Sequence, residues 1–171
     1  MKRISLVRHG KSSWKHFGLA DFDRPLNGRG KKNVPEMAQR YCRFLEVNDI
    51  PKPELIVTSS ANRALTTANL LCEGLGISIE KLQLSEKLYH ASIEEIEYVI
   101  SNLPEIHSHV AMVGHNPGFT CFGNQYSEPN IENIPTAGIV CIEFNVEHWL
   151  DVPGRQGKRL WFDYPKNKQY E

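Results

Sequence analysis

The sequence predicts an α/β sandwich built on a largely parallel sheet. Two observations carry the prediction. Short apolar runs alternate along the chain with segments whose apolar residues recur at helical spacing. Three of the apolar runs also end in a cluster of Gly, Ser, Asn, Arg or His, as strands do where an open sheet presents a ligand crevice.

The elements follow in order. Lys2–Val7 reads as the first strand, with Ile4, Leu6 and Val7 buried and Gly10 forcing a turn after it. A polar loop runs through Asp21, Asp23, Arg24 and Pro25. Val34, Met37, Ala38, Tyr41, Cys42 and Leu45 then share one helical face, with Pro35 expected in the first turn, where its missing N–H costs little. Pro51 and Pro53 close the connection to a second strand, Leu55–Thr58. Ser59 and Ser60 offer an N-cap for a helix with Ala64, Leu65, Ala68, Leu71, Cys72 and Leu75 inward, closed by Gly74 and Gly76. A short strand at Leu82–Leu84 precedes a helix over Ser92–Leu103, whose inward residues are Ile93, Ile96, Val99, Ile100 and Leu103. Val110–Val113 is a further strand. Ile139–Phe144 and Leu160–Tyr164 form a late hairpin at a sheet edge, joined by the polar loop Glu147–Lys158.

At 171 residues the chain is read as one domain, 1–171, long enough to bury a core unaided. Twenty Lys and Arg balance twenty Asp and Glu, which argues against a general nucleic-acid or anionic-membrane binder but not against a local basic pocket. Cys42, Cys72, Cys121 and Cys141 show no metal or redox spacing and are expected as buried reduced thiols. No apolar run approaches the roughly 20 residues of a membrane helix. The stretch behind Lys2 and Arg3 is too short for a signal peptide, so a cytoplasmic monomer is the expectation. Only the tail after Pro165 reads as a frayed end.

Chemistry concentrates at three strand ends: Arg8-His9-Gly10, Ser59-Ser60-Ala61-Asn62-Arg63 and Gly114-His115-Asn116. Parallel strands bring such ends to one edge, where Arg8, His9, Arg63 and His115 converge. Two guanidinium forks and two imidazoles suit a tetrahedral dianion. Gly10 and Gly114 are expected to let backbone approach the ligand. The chemistry indicated is phosphoryl transfer to a histidine, with the arginines supplying charge stabilisation and no metal or cofactor required. Arg63 also sits in a helix N-terminal turn, where a cation opposes the helix dipole unless an anion is bound.

The chain resembles the histidine phosphatase superfamily, and within it the SixA-type phosphohistidine phosphatases. The residues that carry this are Leu6-Val7-Arg8-His9-Gly10-Lys11-Ser12, Asp23-Arg24-Pro25-Leu26 with Gly30, Ser59-Ser60-Ala61-Asn62-Arg63-Ala64 with Thr67-Ala68, Leu88-Tyr89, and Gly114-His115-Asn116-Pro117-Gly118. The resemblance implies a three-layer α/β/α sandwich around a mixed, mostly parallel sheet, the phosphoglycerate mutase-like fold. It implies that His9 accepts the phosphoryl group while Arg8, Arg63 and His115 hold it, with donors from Gly114 and Asn116. It further implies hydrolysis of phosphohistidine, on a phosphotransfer protein of a phosphorelay. Many ester-cleaving relatives place an acidic proton donor after the third strand, where Glu86 stands here; SixA-type members commonly manage without one.

Asp21 and Asp23 are weaker acid candidates, since a loop carboxylate beside Arg24 can simply pair with it. Rival readings are a phosphatase of a small ester or phosphopeptide using Glu86, a phosphomutase, and a non-catalytic phosphate-binding module. His107 and His109 alternate like metal ligands but read as a solvated turn without a third ligand. Ser59-Ser60 reads as a helix cap first and a phosphate contact second. Trp149 and Trp161 read as packing at the sheet edge. The sequence leaves open whether Trp14 borders the pocket mouth.

Overall fold

The computed structural model describes residues 1–167. Its first strand, β1 (Lys2–Arg8), is buried on both faces, as a sheet covered on each side by helices requires. Ile4 and Leu6 enter one core layer and Val7 the other. The remaining strands are β2 (Leu55–Thr58), β3 (Leu82–Leu84), β4 (His109–Gly114), β5 (Ile139–Phe144) and β6 (Lys158–Asp163). They form one sheet in the order β3-β2-β4-β1-β5-β6. The first four pair in parallel, whereas β5 runs antiparallel to both β1 and β6. The mixed, mostly parallel α/β sheet and the late edge hairpin are therefore as the sequence predicts.

Helices cover both faces. On one side α1 (Gly28–Val47) and α2 (Asn62–Leu75) pack Val34, Met37, Tyr41, Ala68 and Leu71 against Val7, Ile56, Ala111 and Val113. On the other, α3 (Ile93–Ser101) and α4 (Gly118–Tyr126) pack Ile96, Ile100, Phe119 and Phe122 against Ile4, Leu6, Val110 and Met112. Successive strand residues alternate between the two layers because side chains alternate across a pleated strand.

Several local expectations are corrected. The first helix starts earlier than expected, so Pro35 lies inside α1 rather than in its first turn. The early start is set by Asn27, whose side chain accepts a hydrogen bond from the Gly30 N–H at 2.9 Å, and by Gly30, where a Cβ would stand 2.4 Å from the Lys11 carbonyl oxygen. Ser59 and Ser60 do not cap α2; the N-cap position is Ala61, with no side-chain cap. Gly76, at φ 66°, does end α2, but Gly74 lies within the helix at the contact with Ala38 of α1. Ser92 begins α3 with a full capping box to Glu95.

His109 belongs to no solvated turn. It is a buried β4 residue whose ring bonds Ser5, Tyr41 and the Pro51 carbonyl, while His107 pairs with Glu54. Trp149 is fully buried, its indole N–H shared by the Pro104 and His107 carbonyls, and Trp161 stacks on Tyr41 and Phe44. All four cysteines are free, but only Cys72 and Cys141 are buried; Cys121 is exposed because Phe119 and Phe122 take the inward face of α4. The frayed tail falls mostly on residues 168–171, outside the described part; before it, Asn167 donates to the Tyr164 carbonyl. Among the described residues, no helix is long and apolar enough to cross a membrane.

Candidate active site

Strand register puts three chain segments level at one edge of the sheet. Arg8 of β1 pairs with Gly114 of β4, and Thr58 of β2 pairs with Val113. The residues that follow, His9, Ser59 and His115, therefore leave the sheet side by side. Two are pinned by backbone, the His9 N–H donating to the Gly114 carbonyl at 3.0 Å and the Ser59 N–H to the Val113 carbonyl at 2.9 Å, and the Gly10 N–H donates to the Thr67 hydroxyl of α2 at 3.0 Å. The Arg8 and His9 carbonyls both face the Ala137 N–H.

Arg63, in the first turn of α2, reaches across this edge. Its Nε donates to His9 Nε2 and its Nη2 lies against His115 Nδ1, each at 3.4 Å. The two imidazole centroids are 5.1 Å apart. His9 Nδ1 lies 2.8 Å from the Gly10 carbonyl, an acceptor, so that nitrogen carries the proton and Nε2 keeps its lone pair. His115 Nε2 meets the Ser59 hydroxyl at 2.8 Å, a group able to donate or accept and so to serve either tautomer. Arg8 donates Nη1 to the Ile134 carbonyl at 2.7 Å, while among the described residues its buried Nε–H has no partner.

Burial, reinforced by the charges of Arg63 and Arg8, lowers the His9 pKa to about 4. Burial, with His9 and Arg63 beside it, lowers His115 to about 3. Both rings are thus neutral at physiological pH. A neutral ring with a fixed tautomer and an unprotonated Nε2, met by a long bond from Arg63, is arranged for attack on an electrophilic anion.

The structure brings Arg8, His9, Arg63 and His115 together. It gives the other sequence candidates different places. Glu86 is exposed in the 3₁₀ turn Glu86–Leu88, and among the described residues nothing joins its carboxylate to the four. Asn116 spends its amide on Asn133 and the Ile134 carbonyl and accepts from Thr120. The missing side chain at Gly114 makes room for the Phe119 ring, 2.6 Å from where a Cβ would stand. Gly10 likewise meets Val34 and Leu26. Core packing by itself requires both glycines. Trp14 is largely exposed, with the Arg24 guanidinium 3.7 Å over its ring.

Three further neighbours join the site: Asp21, expected only as a weaker acid candidate, Tyr89, noted only within a motif, and His90, which the sequence does not single out. One oxygen of Asp21, in the 3₁₀ turn Asp21–Asp23, accepts from Arg63 Nη2 at 2.9 Å, the Tyr89 hydroxyl at 2.7 Å and His90 Nε2 at 3.1 Å. Partial burial alone would raise this carboxyl, but bonds from Tyr89, Arg63 and His90 outweigh it and hold it well below the usual carboxylate range. Arg24, the expected partner, is only a distant one at 3.9 Å. Tyr89 and His90 follow β3, whose end is level with Thr58. The rule that ligands sit at strand carboxyl ends, applied to β3 as well, was the available signal.

A model of the histidine phosphatase superfamily (branch 1) matches residues 4–98. The chain belongs to the histidine phosphatase superfamily. It is accordingly a phosphatase. An uncharacterized chloroplastic protein of Arabidopsis thaliana is 24% identical over 94% of this chain and 74% of its own length. A solved chain from Agrobacterium tumefaciens, provisionally assigned as phosphohistidine phosphatase SixA, superposes with a TM-score of 0.76 at 24% identity over 96% of this chain and 98% of its own. The protein histidine phosphatase SixA complexed with tungstate superposes at 0.75 with 18% identity, covering 95% and 97%. At these identities the structural likeness concerns the fold.

The buried rings of this phosphatase give its stability a pH dependence. His9 and His109 are lowered to about 4 and His115 to about 3, against 6.5 for an open imidazole. Between those values the unfolded chain binds more protons than the folded one, so stability falls as pH drops from about 6.5 toward 4. Each ring contributes a slope of up to about 1.4 kcal/mol per pH unit. Urea midpoints that stay flat across this window would contradict neutral burial of the three rings.

Proposed function

We propose that this phosphatase hydrolyses phosphohistidine on a phosphotransfer protein through a covalent phospho-His9 intermediate. The observation that carries the reading is the state of His9: buried, neutral, its proton fixed at Nδ1 by the Gly10 carbonyl, and its Nε2 lone pair among cationic groups. In this reading Nε2 attacks phosphorus as the bond to the leaving nitrogen breaks, that nitrogen taking the bond pair and a proton. Arg8, Arg63 and His115 hold the phosphoryl oxygens, and the unpartnered Arg8 Nε–H is a donor ready for one of them. Water then attacks phosphorus, the Nε2–P bond breaks, and phosphate departs. Two displacements replace one harder one.

A phosphohistidine substrate fits a site where the carboxyl group bonded to Arg63, that of Asp21, is held ionised by Tyr89, Arg63 and His90 and so brings no acidic proton of its own, because imidazole leaves more readily than an alkoxide. The SixA name of the tungstate-bound neighbour points the same way. A single domain over residues 1–171, acting as a cytoplasmic monomer without metal or cofactor, belongs to the same proposal. Phosphate release from a phosphohistidine-bearing phosphotransfer domain, run beside p-nitrophenyl phosphate, tests it. Fast release from the protein with a poor ester rate is expected. Good ester turnover with no action on phosphohistidine would transfer the assignment to a small ester or phosphopeptide.

A further inference from the structure

We propose that His90, oriented by Asp21, is the proton donor to the leaving group. This rests on His9 being the nucleophile, and it adds a group that the four converging residues do not supply.

His90 is a non-glycine residue in the left-handed region, at φ 50°. Such a backbone conformation is uncommon for side-chain-bearing residues and is held only where the surroundings enforce it. Here the next residue, Ala91, is pressed by the first turn of α4. A Cβ on Gly118 would stand 2.0 Å from the Ala91 carbonyl oxygen. The segment carrying His90 is thus locked to the segment that follows His115.

The result is a ring with one committed nitrogen and one available. His90 Nε2 lies 3.1 Å from the Asp21 carboxylate and so carries a proton. Among the described residues Nδ1 has no hydrogen-bond partner. The ring centroid is 5.1 Å from that of His115, which is itself 5.1 Å from His9. His115 is therefore a ring neighbour of both the buried nucleophile and an imidazole that is half exposed. In-line displacement sends the leaving group away from the nucleophile. His90, half exposed beside the buried His115, stands on the solvent side of the cluster, from which a leaving group can depart.

The groups facing His90 are Asp21 from the first 3₁₀ turn, Arg63 from α2 through that same carboxylate, its neighbour Tyr89, and His115 after β4. Asp21 is the anion among them, and its ionisation is secured by the Tyr89 and Arg63 bonds. Its bond with Nε2 orients the ring and fixes which nitrogen is left available, as the partner of a general-acid histidine does.

The steps balance. His90 as imidazolium gives its Nδ1 proton to the leaving atom, which takes the electron pair of its bond to phosphorus as His9 Nε2 forms the new bond. Neutral His90 then removes a proton from the water that attacks phospho-His9 and returns to imidazolium as phosphate leaves. Asp21 remains a carboxylate throughout.

The test compares two esters that differ in leaving ability, phenyl phosphate and p-nitrophenyl phosphate, using wild type and His90→Gln. A proton donor matters most for the poorer leaving group. His90→Gln is expected to lose about 10²-fold in kcat/KM on phenyl phosphate and less than tenfold on p-nitrophenyl phosphate. Because the readout is a ratio within one preparation, a lower folded fraction does not alter it. Equal losses on both esters, or no loss on either, would overturn the assignment while leaving phospho-His9 intact. An active His9→Ala enzyme would instead remove the nucleophile on which it rests.

Discussion

His9→Ala is expected to lose about 10³-fold or more in phosphatase turnover while keeping its fold. The ring contributes one backbone-directed bond and sits at a strand end, not within either apolar layer, so its removal empties a polar site. The sharper readout is the covalent adduct. Rapid quenching of wild type with labelled substrate should trap phosphate in an acid-labile, base-stable linkage at His9. The variant should show none. Full activity in the variant, or an adduct mapped to His115, would end the assignment of Nε2 as the attacking atom.

Arg63→Gln should lower kcat/KM by about 10²- to 10³-fold, the scale seen when one preorganised donor to a developing anion is lost. Arg63 touches three members of the site, His9, His115 and Asp21, and its side chain is only 4% exposed. Its charge also holds the His9 and His115 pKa values down. Removing it raises both, so the acid side of the rate profile, which requires neutral His9, should move to higher pH. Arg63→Lys retains the charge but not the planar fork, and should restore the acid limb better than it restores the rate. An acid limb that stays put in Arg63→Gln would mean that His9 does not sense the guanidinium.

The convergence of Arg8, His9, Arg63 and His115 could be read from the sequence because parallel strands of similar depth leave a sheet level with one another. The pairing of Arg8 with Gly114 and Thr58 with Val113 is that argument in atoms. Asp21, Tyr89 and His90 were harder to read because their contacts are wholly tertiary. A carboxylate in a polar loop beside Arg24 carries no local sign that it will serve an arginine 42 residues away. Ser59 failed for a related reason: its position matches a cap, but the His115 ring took the hydroxyl. Gly10 and Gly114 were assigned to a ligand because glycine near a site invites that reading. Side chains of the core, Val34 and Phe119, had claimed the space. Pro35 was placed by the rule for first turns, which Asn27 and Gly30 overrode by starting α1 earlier.

The strand that bears Arg8 and leads into His9 lies between β4 and β5, neither of which is synthesised until His109 and Ile139 are reached. During translation, residues 1–108 therefore emerge with β1 complete but without either edge partner. Ile4, Leu6 and Val7 have no sheet to enter until His109–Gly114 arrives. Such distant pairings make for slow folding and prolonged exposure of an apolar edge, which favours capture by chaperones on the ribosome. A stalled chain ending before His109 is expected to be degraded by protease at β1, and one extending past Phe144 to be protected there. Equal protection at both lengths would mean that β1 is sheltered by α1 and α2 alone.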